Sequence, residues 1–253
     1  MRAKTLLTAL FLAVAAIGRA EEVSIAAAAD LTYCLEELNT AFQKAHPGAV
    51  CRVSNGSSGN FFAQIKNGAP FDVFLSADLS YPKELIKAGL AEEDSLFQYA
   101  IGRIVLWTTN DQVDVSRGLA VLQDPQLVKK LALANPEHAP YGRAGQAALE
   151  HEKLWQAVAN RLVIGENISQ TAQFVETGNA EAGIVALSLV LAPRLAKVGH
   201  YFEIPQSDYP PLEQGAVLTR TGASKPLARE YLKFLRSTDA REIFDRYGFR
   251  LGK

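Results

Sequence analysis

The chain has 253 residues, with 26 lysines and arginines against 27 aspartates and glutamates and a formal net charge of −1. A near-neutral chain without a basic cluster is a poor nucleic-acid binder, so any anion it holds is not captured by bulk charge. The length is enough to bury a large core and to form two modest domains.

Residues 1–20 predict an export signal. Arg2 and Lys4 form a positive start, residues 6–17 are an apolar run, and Gly18-Arg19-Ala20 puts small residues where a signal peptidase inspects the chain. The run falls short of the roughly 20 residues that cross a bilayer, so cleavage after Ala20 and release into the periplasm are expected. No cysteine stands at that point to take a lipid. Losing Arg2, Lys4 and Arg19 leaves 23 basic residues against 27 acidic ones in a mature chain of 233 residues.

From Glu22 onward short apolar runs alternate with helical patterns, as in α/β proteins with mainly parallel sheets flanked by helices. Residues 23–27 predict a strand, and Leu31, Leu35, Leu38 and Phe42 follow at helical spacing. Residues 50–53 and 71–75 predict the next two strands, and Pro82 suits the first turn of a helix that stops at Gly89. Residues 101–108 predict one long strand, after which the alternation restarts. Strands are expected at 131–134, 162–164 and 183–187, with helices from about Gly142 and Ser169. A last strand at 215–218 leads to helices over 227–235 and 240–247. This restart and return predict two lobes joined by two crossings: 21–103 with 216–253, and 104–215. The hinges are expected within 101–109 and 209–220.

Cys34 and Cys51 are the only cysteines. Export to an oxidising compartment favours a disulfide, but these residues fall at opposite ends of a βαβ unit. A helix of about 12 residues separates them by roughly 18 Å, whereas a bridge needs Cα atoms within about 7 Å. Two buried free thiols are predicted.

Four strand-to-helix junctions carry the functional signal. Ala27-Ala28-Ala29-Asp30 and Asn55-Gly56-Ser57-Ser58-Gly59-Asn60 belong to the first lobe, and Ala139-Pro140-Tyr141-Gly142 and Gly165-Glu166-Asn167-Ile168-Ser169 to the second. Open α/β sheets bind ligands at the carboxyl ends of their strands. Helix N-termini there offer unpaired N–H groups and the positive end of the macrodipole, which hold a small anion without a charged side chain. None of the four motifs contains lysine or arginine, although Arg143 follows the third. Taken singly each is also an ordinary helix start, with Asp30, Ser57 and Ser58 as plain caps. Two matched pairs, one per lobe, favour a site. About six charge-assisted hydrogen bonds at about 1.5–3 kcal/mol each cover the about 8–12 kcal/mol of micromolar to nanomolar binding only if the donors are preorganised.

At these residues the chain resembles the periplasmic molybdate-binding proteins of ABC importers. The resemblance spans nearly the whole mature chain. Its most specific string is Gly68-Ala69-Pro70-Phe71-Asp72-Val73-Phe74-Leu75-Ser76-Ala77-Asp78, supported by residues 27–32, 56–60, 135–142, 183–185 and 246–249. It implies the two-lobed periplasmic binding protein fold of type II, with a cleft between the lobes that takes molybdate or tungstate. A monomer that needs no cofactor, and that docks on a membrane permease of an ABC importer, is also implied. The implied ligand-binding residues are Ala29 and Asp30 in the first junction, Ser58 in the second, and the main-chain amides of Ala77, Tyr141 and Ile168.

Two positions depart from the family pattern. Asp30 stands where the family usually offers serine, threonine or asparagine, and a carboxylate beside a dianion costs about 4 kcal/mol at 4 Å and an effective dielectric of 20. Asp30 is therefore expected to turn away, cap its helix and offer only its N–H. Ala186 stands where many members carry a tyrosine that reaches the anion, and the Tyr141 hydroxyl is expected to substitute.

Within the binding class the rivals are sulfate, phosphate and ferric ion, the last through a thin set of Tyr141, Asp30 and Glu166. A hydrolase is disfavoured. Gly56-Ser57-Ser58-Gly59 lacks the Gly-x-Ser-x-Gly elbow, and His46, His138, His151 and His200 show no metal-ligand spacing.

Overall fold

A computed structural model describes residues 21–251, so the predicted signal at 1–20 lies outside the described residues. The chain first lays down β1 (Glu22–Ala28), α1 (Thr32–Ala45), β2 (Val50–Gly56), α2 (Ser58–Lys66), β3 (Val73–Ser76), α3 (Ser80–Lys87) and β4 (Phe97–Gly102). It continues with β5 (Ile104–Thr108), β6 (Leu131–Ala134), α4 (Pro140–His151), α5 (Trp155–Val158), β7 (Leu162–Gly165), α6 (Ile168–Glu176), β8 (Ala182–Ala186), α7 (Leu187–Val190) and β9 (His200–Glu203). It closes with β10 (Leu212–Leu218), α8 (Arg220–Ala223), α9 (Pro226–Phe234) and α10 (Thr238–Arg246). No helix among the described residues is long and apolar enough to cross a membrane.

Two five-stranded sheets result, ordered β2-β1-β3-β10-β4 and β7-β6-β8-β5-β9. Each is the floor of one lobe of a two-lobed α/β fold. The expected mainly parallel sheets are mixed: β1 pairs in parallel with β2 and β3, and β6 with β7 and β8. β10 and β5 instead run antiparallel to both of their neighbours. Both are strands that the chain enters directly on crossing between lobes, without the helical return that a parallel neighbour needs.

The predicted single strand at 101–108 is two strands in different sheets, β4 and β5, parted at Arg103. The predicted boundary at 215/216 falls inside β10, which pairs with β4 from Leu212 onward and lies wholly in the first sheet. The second crossing is therefore earlier, over residues 204–211. It follows β9, a short strand with three exposed residues whose sequence carries no apolar alternation.

Register aligns the functional ends. β1 and β2 pair in parallel from Glu22↔Val50 to Ala28↔Gly56, so the first two junctions leave the sheet side by side. β6 and β7 pair from Leu131↔Leu162 to Ala134↔Gly165, which does the same for the other two. The helices follow from their apolar stripes. Cys34, Leu35, Leu38 and Phe42 are the buried face of α1, and Phe42 packs edge-on against Tyr231 of α9 at 5.0 Å between ring centroids. Cys34 and Cys51 are both unpaired, the first buried and the second half-buried.

Candidate functional site

The four junctions meet. A small pocket, partly open to solvent, is lined by Ala29, Asp30, Ser58, Ala77, Tyr141 and Ile168, all six of the predicted site residues. Ala28, Gly56, Ser57, Ala139 and Pro140 from the same junctions complete the wall, which contains no lysine or arginine. Three helices, α2, α4 and α6, begin at this pocket and turn the positive ends of their dipoles toward it.

At each of these helix starts at least one neighbouring amide finds an acceptor and the first non-proline amide is left over. In α6 the Asn167 side chain accepts from the N–H groups of Ser169 and Gln170 at 3.0 Å each, leaving Ile168 at the pocket. In α4 the Ala139 carbonyl accepts from Gly142 and Arg143, leaving Tyr141. Pro140 occupies the first turn of that helix, where a missing N–H costs nothing. Gly142 is required because a Cβ there would sit 2.2 Å from the Ala134 carbonyl oxygen at the end of β6. In α2 the Gly59 N–H donates to the His138 carbonyl of the opposite lobe at 2.9 Å, leaving Ser58. First-turn amides have no intrahelical acceptor, so Ser58, Tyr141 and Ile168 present donors from both lobes. The Ala77 N–H donates to Ser58 Oγ at 2.9 Å, which leaves the Ser58 hydroxyl proton for the pocket. Ser57 Oγ is buried there without a partner.

Asp30 behaves differently from expectation. It sits in a 3-10 turn, Ala29–Leu31, with no side-chain cap, so its predicted capping role is not observed. Its side chain instead accepts on Oδ2 from the Gln214 amide at 2.7 Å and from the Tyr141 hydroxyl at 3.0 Å. Burial pushes its carboxyl from the ordinary 3.8 up to about 6, offset in part by the hydrogen bonds from Gln214 and Tyr141. Oδ1 is buried and has no partner.

The predicted reach of the Tyr141 hydroxyl to the anion is corrected by the same geometry. That hydroxyl is buried, its single proton points to Asp30, and it accepts from Gln214 Nε2 at 3.0 Å. Tyr141 therefore faces the pocket with its main chain while its phenol ties α4 to the other lobe. Burial and the Asp30 charge push its ionisation upward. The rival ferric set of Tyr141, Asp30 and Glu166 is not assembled. Glu166 does not line the pocket and accepts from Asn60 Nδ2 at 2.5 Å on the exposed rim.

Gln214 and Ser188 escaped sequence reasoning. Gln214 is fully buried in β10, and the Tyr99 hydroxyl donates to its Oε1 at 2.7 Å. The signal was a glutamine next to the apolar run of residues 215–218. Ser188 Oγ donates to the Asp30 carbonyl at 2.8 Å, a second tie between the lobes. The rim adds an ion pair between Arg143 and Asp78 that spans the cleft.

A pocket walled by both lobes and furnished with backbone donors in place of cations defines a two-lobed binding protein for a small solute. The chain belongs to the bacterial extracellular solute-binding protein family, whose model matches residues 23–250. It is 37% identical over 249 residues to the molybdate-binding protein ModA of Rhodobacter capsulatus, covering 98% of this chain and 96% of that one. It is 39% identical over 237 residues to ModA of Azotobacter vinelandii, covering 94% and 93%. The structure of the periplasmic molybdate-binding protein of Azotobacter vinelandii superposes with a TM-score of 0.85 at 34% identity, over 91% of this chain and 100% of that one.

Proposed function

We propose that this protein captures molybdate or tungstate in the periplasm by closure of its two lobes and delivers it to the membrane permease of an ABC importer. The observation that carries this reading is the convergence of the Ser58, Tyr141 and Ile168 amides, from both lobes, on a wall without lysine or arginine. Such donors suit a dianion of fixed tetrahedral shape, and the relatives named for molybdate supply the identity. Ala29, Asp30, Ser58, Ala77, Tyr141 and Ile168 form the shell. The first lobe is the sheet of β1 to β4 with β10, the second that of β5 to β9, and the crossings at Arg103 and over 204–211 are the hinges. The protein acts as a monomer, without a cofactor and without catalysis.

Thermal unfolding with molybdate, tungstate, sulfate, phosphate and ferric citrate tests this directly. Stabilisation follows RT ln(1 + [L]/Kd), and the expected order puts molybdate and tungstate well above the rest. Equal stabilisation by sulfate overturns the selectivity.

A further inference from the structure

Resting on that reading of the pocket, we propose that Asp30 carries a proton on Oδ1 in the anion-bound protein and donates it to an oxygen of the dianion, so that capture takes up one proton from solvent. The geometry dictates which oxygen. Oδ2 already accepts two hydrogen bonds, from Gln214 and Tyr141, and both donors lose their acceptor if the proton sits there. Oδ1 belongs to a residue of the pocket wall, is buried, and has no partner of its own. An ionised carboxylate at that place repels a dianion, whereas a carboxylic acid adds one more donor to a shell built of donors.

The surroundings favour the neutral acid. The titratable groups that interact with Asp30 are Tyr141 from α4, Tyr99 from β4 and Cys34 from α1, all buried with their ionisation pushed upward, hence uncharged near neutral pH. The turn also packs on α6, α7 and β2. The charged group of α6, Glu176, pairs with Arg194, and Arg52 of β2 pairs with Glu22. Cys51 of β2 is held up at about 11, and α7 offers Ser188, which does not titrate. No cation is among the groups that shift Asp30, and burial, net of the hydrogen bonds that oppose it, already holds it at about 6 before a dianion arrives. The anion raises it further.

The same site sorts anions by their protons. A fully deprotonated oxyanion needs the proton from solvent. Hydrogen phosphate brings its own and can donate it to ionised Asp30, with no uptake.

Calorimetric titration of molybdate at pH 7.5, in buffers of different ionisation enthalpy, counts the protons. About one proton taken up per molybdate by the wild type, and none by Asp30→Asn, is the expected result. The wild type alone gives a second measure that needs no variant. Its Kd should weaken about tenfold per pH unit above pH 6 and level off below it, as linkage to one proton demands. Molybdate binding without proton uptake, or with a flat pH profile, overturns the inference and leaves the oxyanion reading standing. A wild type that binds neither molybdate nor tungstate overturns both.

Discussion

The Tyr141 hydroxyl donates to Asp30 Oδ2 at 3.0 Å, joining two residues 111 positions apart and from opposite lobes. Both line the pocket, yet this bond points their side chains at one another. Tyr141→Phe should therefore lower stability by about 1–3 kcal/mol, the cost of leaving a buried acceptor short of a donor. Molybdate affinity should change by less than about tenfold, because the hydroxyl is already engaged by Asp30 and Gln214. Thermal melts and calorimetry check the two numbers, and an affinity loss beyond about a hundredfold would return the hydroxyl to the anion.

Ser58 is fully buried and accepts the Ala77 N–H. In Ser58→Ala one donor to the anion disappears, and the Ala77 amide loses its acceptor as well. A hydrogen bond to a charged group contributes about 1.5–3 kcal/mol, so Kd should weaken by about ten- to a hundredfold. Ser57→Ala, which removes a hydroxyl already without a protein partner, should disturb the anion-free fold less in the same titration.

Asp30 gives the anion-free protein a pH dependence of known sign. Its carboxyl is raised in the folded state from 3.8 to about 6, so the folded form holds the proton more tightly. The resulting stabilisation is complete below about pH 3.8 and is lost as pH rises through about 6. The difference is worth about 3 kcal/mol at about 1.4 kcal/mol per pH unit. Asp30→Asn has no such loss and should gain on the wild type between pH 4 and 8 by an amount of that order. Urea unfolding at the two pH values measures it, and an unchanged gap contradicts it.

Gly59 sits where the lobes touch. A Cβ there would lie 2.7 Å from the His138 carbonyl oxygen, so Gly59→Ala should hold the cleft open while leaving each sheet intact. At least a tenfold loss of molybdate affinity is expected, with the melting temperature of the anion-free protein nearly unchanged. Small-angle scattering should then show no compaction on adding molybdate.

The rim pair of Arg143 and Asp78 is partly exposed, so it contributes little, about 0.2–1 kcal/mol. Arg143→Gln should speed molybdate release by less than about fivefold, and the difference should shrink as salt is raised. Competition kinetics in low and high salt would show it.

The junctions were legible because their residues are small or polar where apolar strands end, and parallel register then has little freedom over where to put them. Ala28 and Gly56 finish paired strands, as do Ala134 and Gly165, so reading the strand ends amounts to reading the pocket. The environment of Asp30 was not legible. In sequence it looks like a cap, and what makes it a buried hydrogen-bonded acid is Gln214, 184 residues away. The break at Arg103 was hidden for a related reason. Both crossing strands are largely buried, so apolar residues continue on either side of a change of sheet that only long-range pairing reveals.

Arg103 is the single residue between β4 and β5, and its guanidinium bridges the bodies it separates. Nε donates to the Gly248 carbonyl beyond α10 at 2.8 Å, and Nη1 meets Glu203 of β9 at 2.9 Å. A one-residue tether with an anchor on each side has the build of a door hinge and not of a leash: it leaves the halves room to swing about one edge and little room to drift apart or slide there. Shutting on a guest then sacrifices little translational freedom, and more of the grip on each amide contact survives as affinity.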